Sequence, residues 1–160
     1  MDFMEKIIIR FAEKDDYENV EKIMKQVQNL HINWRPDIYK ECETVLPFEL
    51  FLAEIEKGTI VVAEADGKIA GVLSFMQRRI ESVTHVTRKV VFIDSIAVDE
   101  NFRGRGIGTK LLDFAKDIAQ KMNCDGVELQ VNAKNSAAME FYKKFGFTEK
   151  SVNLELLSYK

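Results

Sequence analysis

The sequence predicts an α/β domain built on a mixed sheet, and three observations carry that expectation. Ala65-Asp66-Gly67-Lys68 stands between two apolar runs and is the strongest hairpin signal in the chain. The stretch VFIDSIAVDENFRGRGIG, residues 91–108, passes from a β-branched strand through three glycines into a helical pattern. Beyond it the order is helix, strand, helix. An antiparallel meander therefore comes first and β-α-β order second.

Each element has its own warrant. Lys6–Phe11 is a short β-branched run, a first strand. Asp15 or Asp16 caps the helix that follows, with Val20, Ile23, Met24, Val27 and Leu30 at helical spacing. Residues 31–45 read as irregular, with Arg35-Pro36-Asp37 as the turn. Pro47 opens a second helix carrying Leu50, Phe51, Ala53, Glu54 and Ile55 to Gly58. Thr59–Ala65 and Lys68–Met76 are the hairpin strands. Residues 77–89 are polar and read as the distal end of the third strand plus a loop.

The fourth strand holds Val90, Val91, Phe92, Ile93, Ile96, Ala97 and Val98. The helix over Gly106–Met122 places Ile107, Leu111, Leu112, Ala115, Ile118, Ala119 and Met122 on one stripe. Residues 123–126 form a turn and Val127–Val131 a fifth strand. Asn135 caps a last helix, Ser136–Phe145, which Gly146 closes. Residues 147–157 return as one or two strands, with alternation at Val152, Leu154 and Leu156. No linker or repeat divides the chain, so residues 1–160 are expected to form one domain.

Composition excludes several function classes. With 46% hydrophobic and 31% charged residues the chain is of ordinary globular type. A net charge of -3 leaves no basic excess for a phosphate backbone, so nucleic acid is not expected as partner. No apolar run approaches a membrane span, and MDFMEKIIIR lacks a signal-peptide pattern. Cys42 and Cys124 have no metal-ligand spacing, and with His31 and His85 they build no zinc site. A cytoplasmic protein without a metal is expected.

The glycine stretch is an anion cradle in the making. Its glycines let the backbone approach a ligand closely, and the first amides of a helix have no intrahelical partner while its dipole favours negative charge. A Walker loop is excluded, because no Gly-Lys-Ser/Thr follows. A dinucleotide fingerprint needs G-x-G-x-x-G, whereas Gly104, Gly106 and Gly108 run G-x-G-x-G. A plain flexible turn remains the alternative from these residues alone.

R-x-x-G-x-G after a strand ending Ile-Ala-Val resembles the coenzyme A motif of the GNAT superfamily of N-acyltransferases. Leu129-Gln130-Val131, Asn135, Ala138, Phe141-Tyr142 and Gly146-Phe147 resemble the superfamily's second signature. The likeness covers roughly residues 59–148. It implies the GNAT fold: a twisted mixed sheet of six or seven strands, splayed between the fourth and fifth, with about four helices. It also implies acetyl-CoA as cosubstrate and direct attack of an amine on the thioester. Arg103, Gly104, Arg105, Gly106, Ile107 and Gly108 would hold the pyrophosphate, and Ile96, Ala97 and Val98 the pantetheine arm. Asn135 would contact the coenzyme.

Tyr142 matches the family tyrosine that protonates the departing thiolate, and Asp94 resembles the carboxylate base of the polyamine and glucosamine-phosphate enzymes. Period-two alternation would put Asp94 on the strand face of Ile96 and Val98. Where the acetyltransferases of ribosomal-protein N-termini carry a glutamate, this chain has Gln130, which is no base; that favours a small-molecule amine over a protein or peptide N-terminus. Substrates of the family enter past residues 31–45 and 77–89, which makes His31, Trp34 and Arg35 the candidate acceptor contacts. A non-catalytic acyl-CoA-binding module is the rival from another class. The resemblance leaves monomer and homodimer open.

Overall fold

Asp66 (φ 51°) and Gly67 (φ 80°) both take left-handed backbone, and the two-residue turn they make joins β2 (Ile60–Ala65) to β3 (Lys68–Ser82). This is the turn an Asp-Gly pair favours, because its twist matches that of the flanking strands. The computed structural model describes residues 6–158; the start of MDFMEKIIIR lies outside them. Two compact units divide the chain, one ending at Gln130 and one beginning at Val131.

The first unit holds a five-stranded sheet in the order β1-β2-β3-β4-β5. β1 (Ile7–Phe11), β2, β3 and β4 (His85–Val98) pair antiparallel in sequence, and β5 (Gly126–Leu129) joins β4 in parallel. The mixed α/β architecture is the one expected. Helices cover both faces. Val20 and Ile23 of α1 (Tyr17–Trp34) and Phe51 of α2 (Phe48–Lys57) pack with Val62, Val72 and Ala97 on one face. α3 (Ile107–Lys121) lies on the other, burying Ile107, Leu111, Leu112, Ala115 and Ala119. Each fully buried Val, Leu, Ile or Phe among them is worth about 1.5–3 kcal/mol.

Four expectations need correction. α1 runs through Trp34, so His31 and Trp34 are helical; it stops where Pro36 disfavours helical backbone at Arg35 (φ -142°, ψ 72°). Residues 77–89 do hold the distal end of β3, but the expected loop shrinks to the two-residue turn Val83-Thr84. β3 and β4 stay paired as far as Ser82↔His85, because the backbone ladder continues where the apolar alternation ends. β5 ends at Leu129 and leaves Gln130 outside the strand.

Among the described residues 147–158 carry no strand, so the sheet has five strands and not six or seven. Val152, Leu154 and Leu156 are 69%, 92% and 96% exposed. Alternation makes a strand only where a partner ladder buries one of its faces. The second unit, taken by itself, holds α4 (Ser136–Phe145), which Asn135 caps through its Oδ1, accepting from Ala138 N–H at 3.1 Å. Gly146 (φ 128°) closes it by donating to the Tyr142 and Lys143 carbonyls.

Candidate functional site: a glycine cradle at the open end of strand four

β4 leads into the cradle through a tightly held turn. The Asp99 N–H donates to Ala70 O at 2.8 Å, and its buried carboxylate accepts from the Asn101 N–H at 2.8 Å. A 3-10 turn over Glu100–Phe102 follows, then the loop. Gly104 (φ 77°) and Gly106 (φ 79°) are left-handed, and a Cβ at either would meet nothing within 4 Å. The backbone here faces open space, as a cradle for a ligand must. Gly106 is the N-cap of α3 and has no side chain with which to cap it, and the first amides of a helix have no intrahelical partner. Arg103 and Arg105 are exposed; Arg105 leans over the Phe102 ring at 5.0 Å and donates to Asn101 O at 3.4 Å.

The strand before the loop is open on one edge. β5 pairs with β4 only from Val90↔Gly126 to Ile93↔Leu129, and among the described residues no strand pairs there with β4 beyond Ile93. The Asp99 N–H bond to Ala70 fixes the ladder's phase. In an antiparallel pair the bonded positions alternate, so Ser95 and Ala97 turn their amides to β3 while Ile96 and Val98 turn theirs to the open edge. Ala97 buries its methyl in the core.

Asp94 sits at a β-bulge. Ser74 pairs with Ser95 and Phe75 with Ile93, which leaves Asp94 as the extra, exposed residue. Strict alternation therefore does not carry from Val98 back to Asp94. Bulges re-aim side chains and recur beside active sites.

One further carboxylate belongs to this region. Glu54 lies one turn from Phe51 on the core-facing side of α2 and is half-buried. Burial, and then the negative charge of Asp94, push its carboxyl above the ordinary range, with Lys57 opposing. The signal in the sequence was a charged residue on an apolar helix stripe. By contrast Glu128 on β5 accepts a hydrogen bond from Arg88 Nη1 at 3.1 Å.

In the second unit, burial pushes the Tyr142 phenol up to about 12, so it holds its proton throughout the neutral range. Its ring lies 5.6 Å from Phe141 and 5.8 Å from Phe147. Asn135 uses its Oδ1 on the helix cap, which leaves its amide nitrogen for other partners.

The residues expected to meet the acceptor gather at the end of α1. The His31 ring stands 5.8 Å from Trp34 and 4.8 Å from Tyr39, and burial lowers its pKa. Arg35 forks onto Asp37, with bonds of 2.9 and 2.7 Å, and so braces its own turn. Among the described residues no group of three or more His, Cys, Asp or Glu could hold a metal ion, and no helix is long and apolar enough to cross a membrane.

The profile of the Acetyltransferase (GNAT) family matches residues 24–147. An uncharacterized N-acetyltransferase of Methanocaldococcus jannaschii is 37% identical over 114 residues, 71% of this chain and 50% of that protein. An N-alpha-acetyltransferase of Sulfurisphaera tokodaii is 34% identical over 115 residues, 66% of this chain and 67% of that one. This chain thus spans about half the length of the first relative. Among solved structures, a mutant of a Bacillus halodurans protein superposes with a TM-score of 0.86 at 30% identity, covering 95% of this chain and 99% of that one.

Proposed function

The chain belongs to the GNAT family of acetyltransferases, and from that premise we propose that it transfers the acetyl group of acetyl-CoA to a primary amine of a small molecule by direct attack in a ternary complex. The observation that carries this reading is the open edge of β4 at Ile96 and Val98 running straight into a loop whose glycines face empty space. An extended amide-bearing arm ending in a pyrophosphate fits that sequence of features: strand-like pairing first, an anion cradle next.

In this reading the amides of Gly104 to Gly108 and the charges of Arg103 and Arg105 hold the phosphates, and Asn135 adds a contact. Ile96 and Val98 pair with the pantetheine amides, and one of their N–H groups polarises the thioester carbonyl. The amine arrives largely protonated, since a lysine-like amine has a pKa of about 10.4. Asp94, with Glu54 beside it, takes that proton. The nitrogen bonds to the acetyl carbon, the carbon–sulfur bond breaks, and the Tyr142 phenol gives its proton to the departing thiolate. The two free cysteines suit the cytoplasmic setting expected from the sequence.

The protein N-terminal reading is favoured by the Sulfurisphaera relative, whose name is that of an N-alpha-acetyltransferase. Against it stands Gln130, exposed and beyond the end of β5, at the position matched to a glutamate. A thiol-release screen of polyamines, aminoglycosides, amino acids and N-terminal peptides decides between them. Release with small amines upholds the proposal; release with peptides alone transfers it to protein substrates. Binding of acetyl-CoA without turnover on any amine would make the chain a coenzyme-binding module.

A further inference from the structure

The turn at Asp99 and Glu100 is not held by the sheet alone. Gln26, at the middle of α1, reaches it from the face opposite α3. Its Oε1 accepts from the Glu100 N–H at 3.0 Å, and its Nε2 donates to Asp99 Oδ2 at 3.5 Å. The other carboxylate oxygen of Asp99 is already engaged by the Asn101 N–H. One carboxamide thus ties Asp99, the residue just after β4, and the first residue of the 3-10 turn to a helix that is anchored in the core through Val20 and Ile23.

We propose that Gln26 is a positioning residue for the coenzyme: its carboxamide fixes the angle at which the chain leaves β4, and so the direction in which the glycine-loop amides point. This rests on the coenzyme A reading of the loop. Glu100 is exposed, so without Gln26 water can satisfy its N–H. Little folding stability is then lost. What is lost is the fixed geometry of the turn, and preorganised donors bind an anion more tightly than donors that must be ordered on binding. Both ends of the Gln26 carboxamide are spent on the turn, so in this account its effect falls on coenzyme affinity and not on turnover.

Gln26→Met keeps the length and packing of the side chain and removes both polar ends. Titration calorimetry with coenzyme A is expected to show Kd raised about 5- to 10-fold in Gln26→Met, the worth of one hydrogen bond. KM for acetyl-CoA should rise in step while kcat holds. The control is Gln28→Met on the same helix, whose Nε2 donates to Lys40 O at 3.0 Å and not to the turn. Its Kd for coenzyme A should stay within about twofold of the wild type.

Equal Kd values in wild type and Gln26→Met would overturn the inference while leaving the coenzyme reading intact. A wild-type chain that binds no coenzyme A would overturn that reading, and the inference with it. Should Gln26→Met fail to fold, hydrogen exchange of the Glu100 amide in the wild-type chain decides. Protection is the expected result, and exchange at the rate of an open amide overturns the proposal.

Discussion

Gly71 and Ile107 meet so closely that no side chain fits between them. A Cβ on Gly71 would stand 3.0 Å from Ile107 Cγ2, 3.1 Å from Leu111 Cδ1 and 3.2 Å from the Ala97 carbonyl oxygen. Ile107 is the first residue of α3 and Gly71 pairs with Val98, so this contact seats the helix N-terminus on the end of β4. Gly71→Ala should destabilise the fold by about 1–3 kcal/mol through overpacking, read by urea unfolding. Coenzyme affinity should fall with it, since the same shift moves the amides of the cradle. Unchanged stability would mean that α3 yields freely.

Gly106 tests the cradle from the other side. Its φ of 79° costs an alanine about 1–2 kcal/mol, and no neighbour lies within 4 Å of the new Cβ. Gly106→Ala is therefore expected to lose stability through backbone strain alone. Its coenzyme affinity should fall further, by on the order of tenfold for each 1.4 kcal/mol of blocked approach. Calorimetry and melting together separate the two effects.

Tyr142→Phe should lower turnover strongly and leave the Kd for acetyl-CoA nearly intact. With the phenol near 12, the proton stays on Tyr142 well above neutrality, so no descending limb due to this residue should enter the pH–rate profile below about pH 10. Unchanged turnover at pH 7 would remove Tyr142 from the acid role.

The two carboxylates give opposite readings of activity and stability. Asp94→Asn should depress the rate most at low pH, where the amine most needs a base; a flat response would assign the proton to another group. Glu54 has a raised carboxyl pKa, so the folded state prefers its protonated form and is penalised as pH rises through its ordinary value. Glu54→Gln should therefore make the protein more stable at neutral pH, with the gain vanishing below about pH 4. Activity should drop in the same variant. A variant both less stable and fully active would refute this account of Glu54.

Acid stability rests elsewhere. Burial of Asp16 works to raise its pKa, but the bidentate bonds from Arg10, at 2.8 and 2.9 Å, and the Glu13 N–H at 2.7 Å outweigh burial and hold it low. A depressed carboxyl stabilises above its unfolded value and loses that contribution as pH falls. Asp16→Asn should cost about 1.5–3 kcal/mol at pH 7, and progressively less as pH falls below the ordinary Asp value of about 3.9. Urea midpoints of wild type and variant, followed from pH 7 downward, measure the difference.

Much of this was legible in local chemistry. Asp66-Gly67 dictated its turn because two consecutive left-handed residues favour that pair, and Asn135 and Gly146 bounded α4 for equally local reasons. Gly104 and Gly106 announced a backbone that a ligand can approach. The apolar stripe of α3 fixed which side of that helix would be buried. The extent of β3 and β4 was not legible, because hydrogen-bonded pairing continues through polar residues once apolar burial stops.

The sequence by itself determined the order of elements, the glycine cradle and the family resemblance, all of which reside in spacing and in the conformational range of single residues. Only the tertiary structure decided that Asp94 is the unpaired residue of a bulge, that Glu54 feels its charge, that Gln26 bonds the turn after β4, and that Gly71 lies against Ile107 on the other face of the sheet. Those relationships join residues far apart in the chain. They depend on strand register and helix seating, which are set by packing and not by any local pattern.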